Sequence, residues 1–227
     1  MIVTMHQPNF LPWCGFFYKM AKADLFVFTD TLGFSRGSYT QRVKIKTMNG
    51  PKWLTHSLLH TGKVSQPIMD IRCGGWDDWR ERIVNALKGN YLKCPHYQPC
   101  ADELAEIIMA SDDNLARFNM GLIMYIAGKL GITTPTVCSS TFKNVSGKTT
   151  DWIIAACKEV GADTFLSGAG GANYQDEDAY GQAGIKLVYS DFKHPVYPQQ
   201  FGEFVPGLSV VDLLFNCGPG SASILGL

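Results

Sequence analysis

Met5-His6-Gln7-Pro8-Asn9-Phe10-Leu11-Pro12-Trp13-Cys14-Gly15-Phe16-Phe17-Tyr18-Lys19 decides how the chain is read. The four residues before it, Met1-Ile2-Val3-Thr4, form a short apolar strand. Pro8 and Pro12 forbid a ladder or helix running through the segment, because proline fixes φ and has no N–H. Beyond them Trp13, Phe16, Phe17 and Met20 recur at helical spacing. His6 and Gln7 therefore stand where a buried strand ends and a helix is about to begin. In open α/β sheets that edge binds ligands, which sets the imidazole and the amide as candidates. The competing reading of His6 is a satisfied core histidine.

Working outward, the chain has 227 residues, 46% of them apolar and 18% charged, a globular balance. Lys+Arg and Asp+Glu each total 20, so the net charge is zero and a partner gripped mainly through nucleic-acid phosphates is not expected. No apolar run nears the roughly 20 residues of a membrane span, and no basic-then-apolar leader is seen, so a soluble cytoplasmic protein is expected. Seven scattered cysteines fit reduced thiols better than a disulfide framework. The cluster Cys94-Pro95-His96-Tyr97-Gln98-Pro99-Cys100 lacks ligand spacing, so no metal is assigned. Cys14 has no base near it apart from His6.

Asp24–Asp30 reads as a second strand, and Asp30 ends it as His6 ends the first. Alternation in Ser38–Lys46, a turn at Asn49-Gly50-Pro51 and a return from Lys52 predict an antiparallel hairpin extension over 34–60. Its polar face puts Arg42, Lys44 and Lys46 in a cationic row, either a solvated face or an anion-binding wall. Residues 76–130 read as three helices inserted in the sheet, the last apolar nearly all round and hence buried.

The βα rhythm then returns with a strand over 134–140 and a helix from Asp151 to Glu159. Gly147-Lys148-Thr149 resembles part of a phosphate loop, but the leading glycine would fall at Phe142, and the triplet is read as a helix cap. Asp163–Ser167 runs straight into Gly168-Ala169-Gly170-Gly171, where backbone N–H groups can approach a ligand. A proline-broken tail carries His194, Tyr197 and Gln200, followed by a helix with Ser209 as N-cap and Gly218 as C-cap. Asp212 and Asn216 share a face of that helix at i,i+4. The expected fold is α/β: a mainly parallel three-layer sheet in one domain over 1–227, with the hairpin and helical insertions.

His6-Gln7-Pro8 with Leu11-Pro12-Trp13-x-Gly15-Phe16-Phe17 resembles the opening of the WbqC-like family. Asp30, Gln41-Arg42-Val43-Lys44-Ile45, Asn90-Tyr91, Leu166-Ser167-Gly168, Tyr174, His194-Pro195-x-Tyr197-x-Gln199 and the run Leu208–Gly218 extend the resemblance along the chain. Gln41 stands where the family would carry Asn, and Cys14 lies outside the pattern. The resemblance implies bacterial surface-polysaccharide biosynthesis, including N-acylated amino sugars, and raises His6, Asp30, Arg42, Ser167, His194, Asp212 and Asn216 as site residues.

The expected activity is transfer of an acyl or aminoacyl group onto an amino-sugar nucleotide. His6 would be the base, oriented by Asp30, with His194 as substitute. Arg42 and Lys44 would hold the diphosphate, and the loop at Ser167 and Gly168 the oxyanion. Gln7, Tyr174, Tyr197, Asp212 and Asn216 complete the substrate set, with His6 and the Asp212–Asn216 helix lining one pocket. The alternatives are ATP- and Mg-dependent nucleotidyl transfer and non-catalytic sugar binding. No cofactor is firmly implied, and homodimerisation is an open partner class.

Overall fold

The computed structural model describes residues 1–59, 66–75, 78–98, 100–173 and 175–227. Strand β1 (Ile2–His6) leads through the proline-broken segment into helix α1 (Cys14–Ala21) and strand β2 (Leu25–Phe28). The hairpin β3 (Arg42–Thr47) and β4 (Gly50–Thr55) follows, then helices α2 (Trp79–Tyr91), α3 (Cys100–Ala110) and α4 (Leu115–Lys129). Strand β5 (Thr136–Cys138), helix α5 (Thr150–Glu159), strand β6 (Thr164–Ser167), helix α6 (Glu177–Gln182) and strand β7 (Lys186–Tyr189) restore the α/β alternation. Helix α7 (Val210–Cys217) is the last of eight residues or more among those described.

The main sheet runs β5-β2-β1-β6-β7, and every pairing in it is parallel. The hairpin β3–β4 forms its own antiparallel sheet. This is the expected α/β fold. Successive connections move outward from β1 in one direction to β2 and β5, and in the other to β6 and β7. The strand order reverses between β1 and β6, and a crevice opens at the carboxyl ends of such a pair.

Alternation along the strands separates two cores. Val3 and Met5 of β1, with Val27 and Phe165, pack under α5 and α6 against Ala156, Cys157 and Tyr180. On the other face Phe26 and Phe28 join Phe16 and Phe17 of α1, Phe118 and Leu122 of α4, and Val211 and Phe215 of α7. Burying each such phenylalanine contributes roughly 1.5–3 kcal/mol, so this face carries much of the stability.

Strand β5 is shorter than the expected 134–140, with Ser139–Thr141 forming a 3₁₀ turn, and two other boundaries differ for a visible reason. Residues 38–41 are turn rather than strand, because Gln41 folds its side chain back: Gly37 N–H donates to its Oε1 at 2.9 Å, and its Nε2 donates to the His56 carbonyl at 3.1 Å. Helix α2 passes Gly89 and ends at Tyr91, since an exposed helical glycine costs only about 1 kcal/mol and Tyr91 is fully buried. Ser209 caps α7 through the Val211 N–H, and Gly218 ends it at φ 50°, as expected.

Candidate functional site

The proline-broken segment is held from three sides. Asn119, fully buried on α4, donates to the Pro8 and Thr40 carbonyls at 2.8 Å each. Phe10 N–H donates to the Tyr39 carbonyl at 2.9 Å. Ser209 Oγ donates to the Leu11 carbonyl at 2.7 Å, and Val210 N–H to that of Pro12 at 2.8 Å. Together these hold Leu11 at φ 41°, a conformation that costs a non-glycine residue about 1–2 kcal/mol. The result aims Trp13 and Gly15 at the end of β1.

There a cleft of about 860 Å³ opens at the switch point. Met5, His6 and Gln7 enter it from β1, Trp13, Phe16 and Lys19 from α1, and Ser167 with Gly168 to Gly171 from the end of β6. Gly147, Lys148 and Thr149 enter from the start of α5, and Phe192 from the irregular tail. Among the described lining residues there is no Asp or Glu, and the charged groups are Lys19 and Lys148.

The His6 ring packs edge-on against Trp13 and Phe16, with centroids at 5.6 and 5.0 Å. Its Nδ1 lies 3.1 Å from the Gln7 carbonyl, which assigns the proton to Nδ1 and leaves a lone pair on Nε2. Burial, and after it the charge of Lys19, pushes His6 down to about 3, so the ring is neutral at physiological pH. Lys19 is 5% exposed, and its Nζ donates to the Met5 carbonyl at 3.0 Å. Burial pushes its ammonium down to about 8.

Ser167 is buried, donates to the Gly168 carbonyl at 3.1 Å and accepts from Gln175 Nε2 at 2.8 Å. A Cβ at Gly171 would stand 2.2 Å from Ser167 Oγ, so only glycine permits this clasp. The structure therefore gathers His6, Gln7, Ser167 and Gly168. Tyr174 lies outside the described residues.

The other expected residues are elsewhere. Asp30 does not orient His6: its carboxylate accepts from Ser139 Oγ at 2.9 Å, Ser140 N–H at 2.9 Å and Ser140 Oγ at 2.6 Å. It ties the end of β2 to the end of β5. Arg42 and Lys44 lie over the Trp53 ring at 4.2 and 5.3 Å and do not line the cleft. Lys46 is 1% exposed and donates to Gln199 Oε1, so the cationic row is neither a solvated face nor an anion wall along its whole length. His194 sits behind Phe192, packed on Phe192, Tyr197 and Phe204, with Nδ1 3.0 Å from the Pro195 carbonyl.

Asp212 and Asn216 do not share the pocket of His6. Asp212 is fully buried and accepts from Tyr91 Oη at 3.0 Å; burial raises its carboxyl, against the pull of Tyr197, Tyr91 and Lys46. Asn216 donates back to the Asp212 carbonyl at 2.7 Å within α7. The chain ends do meet, but through the backbone of residues 11–13 and the first turn of α7. These groups are in the packed interior beside it.

Lys148, weighed from sequence as part of a phosphate loop and read as a helix cap, lines the cleft, as does Lys19, which the sequence did not single out. Phe16, Lys19 and Met20 fall at i, i+3 and i+4, so a lysine set into an apolar helical stripe was the available signal for Lys19. Among the described residues no group of three or more His, Cys, Asp or Glu is placed to hold a metal ion. No helix among them is long and apolar enough to cross a membrane.

No solved structure gives a significant match to this chain. The uncharacterized protein Rv1507c of Mycobacterium tuberculosis is 31% identical over 218 residues, covering 95% of this chain and 94% of that protein. The WbqC-like protein family matches residues 7–224, a span that takes in the proline-broken segment, the glycine-rich loop and α7. By both measures the chain belongs to the WbqC-like protein family.

Proposed function

We propose that the protein is a transferase that forms an amide, moving an acyl or aminoacyl group onto the amine of an amino-sugar nucleotide in bacterial surface-polysaccharide synthesis. One observation carries the reading: a neutral imidazole and a buried lysine share a cleft at the sheet switch point whose described lining residues include no carboxylate. An imidazole as weakly basic as His6 does not store a proton. Its Nε2 lone pair instead receives a hydrogen bond from the amine and aims the nitrogen at the acyl carbon. As the C–N bond forms, the carbonyl oxygen becomes anionic, and the Lys19 ammonium and the N–H groups of the glycine-rich loop stabilise it. The bond to the leaving group then breaks. Lys19 donates its proton to that group and regains the one that the new amide nitrogen sheds, so the balance closes.

Turnover of amino-sugar nucleotides with acyl thioesters is the test, in wild type, His6→Ala and Lys19→Met. Losses of about 100-fold or more are expected in both variants. Unchanged rates in Lys19→Met overturn the mechanism. Tight binding of substrate without turnover supports a sugar-binding protein instead. ATP hydrolysis without an acyl donor supports nucleotidyl transfer, a reading favoured by the glycine–lysine turn opening α5 in the same cleft.

A further inference from the structure

The geometry points to a phosphate-binding subsite in the cleft, between Gly147-Lys148-Thr149 at the start of α5 and the Gly168–Gly171 loop, that takes the diphosphate of the substrate. It deepens the amide-transfer reading by naming how the substrate is gripped, but its test does not require turnover.

Helix α5 has ten residues, and its first N–H groups carry the positive end of the helix dipole. Thr149 stands at the N-cap with φ 49° and makes no side-chain cap; of the first-turn N–H groups, that of Asp151 donates to the Lys148 carbonyl at 3.1 Å, and the hydroxyl of Thr149 leaves the others to another acceptor. Lys148 beside it is exposed and faces the same cleft. Asp151 in the first turn is exposed and does not line the cleft. Across the cleft, a Cβ built on Gly168 or Gly170 meets nothing within 4 Å, so that backbone lies open to a ligand.

A second and independent observation comes from Lys19. The residue is 5% exposed and lines the cleft from α1. It has one backbone carbonyl as partner, no ion pair among the described residues, and no acidic group acts on it. A buried cation without a counter-charge is costly, and an anionic ligand supplies what the fold leaves out. Two cations, a helix N-terminus and open glycine backbone in one cleft, with no Asp or Glu among its described lining residues, select a phosphate ester rather than a neutral sugar. Arg42 and Lys44, expected to hold the diphosphate, are stacked on Trp53 outside the cleft.

The test is calorimetric titration with inorganic pyrophosphate, UDP and uridine at fixed ionic strength. Pyrophosphate and UDP should bind, and uridine should bind at least tenfold more weakly than UDP. Lys148→Ala should weaken pyrophosphate about tenfold, the loss of one charge-assisted contact, and Lys148→Arg should restore most of it. Gly170→Leu, which fills open space at the loop surface, should also weaken it. Lys158→Met, on the far turn of α5, should leave it unchanged. Circular dichroism confirms that each variant is folded. Absence of pyrophosphate binding, or equal binding by wild type and Lys148→Ala, overturns the subsite even if amide turnover is found. Lys148-dependent binding without amide turnover upholds the subsite and rejects the amide reading.

Discussion

Ser209 Oγ donates to the Leu11 carbonyl at 2.7 Å, joining residues 198 positions apart inside the protein. That bond fixes the strained turn from which Trp13 reaches the cleft.

Ser209→Ala therefore leaves a buried carbonyl without its donor and α7 without its cap. A loss of about 1–3 kcal/mol in urea unfolding is expected. A loss below about 0.5 kcal/mol would show that the turn is held without it.

Under the proposed mechanism Lys19 trades stability for function. Its folded value, about 8, lies below the ordinary lysine value of 10.5, so the unfolded chain binds the proton more tightly. Lys19's own contribution should therefore become less unfavourable as pH increases from 8 towards 10.5, so the stability gap between wild type and Lys19→Met should narrow over that window, while activity falls as Lys19 loses its proton through about 8. Lys19→Met should be about 2 kcal/mol more stable than wild type at pH 7, from the buried charge removed, and inactive. Thermal denaturation together with the pH–rate profile checks both halves.

His56 makes the protein acid-sensitive. It is 1% exposed, stacked on Trp79 at 4.5 Å, and burial pushes it down to about 4 from 6.5. Below pH 6.5 the unfolded chain gains a proton that the folded imidazole refuses until about pH 4. Stability should therefore fall by about 1.4 kcal/mol per unit in that window from this residue alone. His56→Phe should remove that part of the slope, measured as urea midpoints at pH 6.5, 5.5 and 4.5, and His6 should retain its own.

Asp30 should prove structural. Asp30→Asn keeps the shape but removes the charge that three donors share, so a loss of about 2–3 kcal/mol is expected. In the folded variant, KM and kcat for the amide reaction should stay within about threefold of wild type. A drop of 100-fold in kcat would return Asp30 to the catalytic set.

The parts legible from sequence are those written locally. Apolar runs of strand length, the prolines after His6, and the Ser209 and Gly218 caps are decided within a few residues, and each is where its neighbours predict. The cleft position of His6 followed from one strand ending before a helix. What was hidden depends on packing between distant segments. Asp212 looks like a polar helix residue until Tyr91 and Lys46 close over it. Arg42 looks available until Trp53 lies beneath it. Lys148 looks like a cap until α5 is seen turned towards the end of β1.

The strand built from the chain's opening residues lies in the middle of the sheet, between β2 and β6. Thr4 Oγ1 donates to the Leu166 carbonyl across 162 positions. β1 thus keeps one flank unpaired until a segment 162 positions further along the chain docks beside it. Such long-range closure slows folding and leaves a β-edge exposed to stray pairing in the interval.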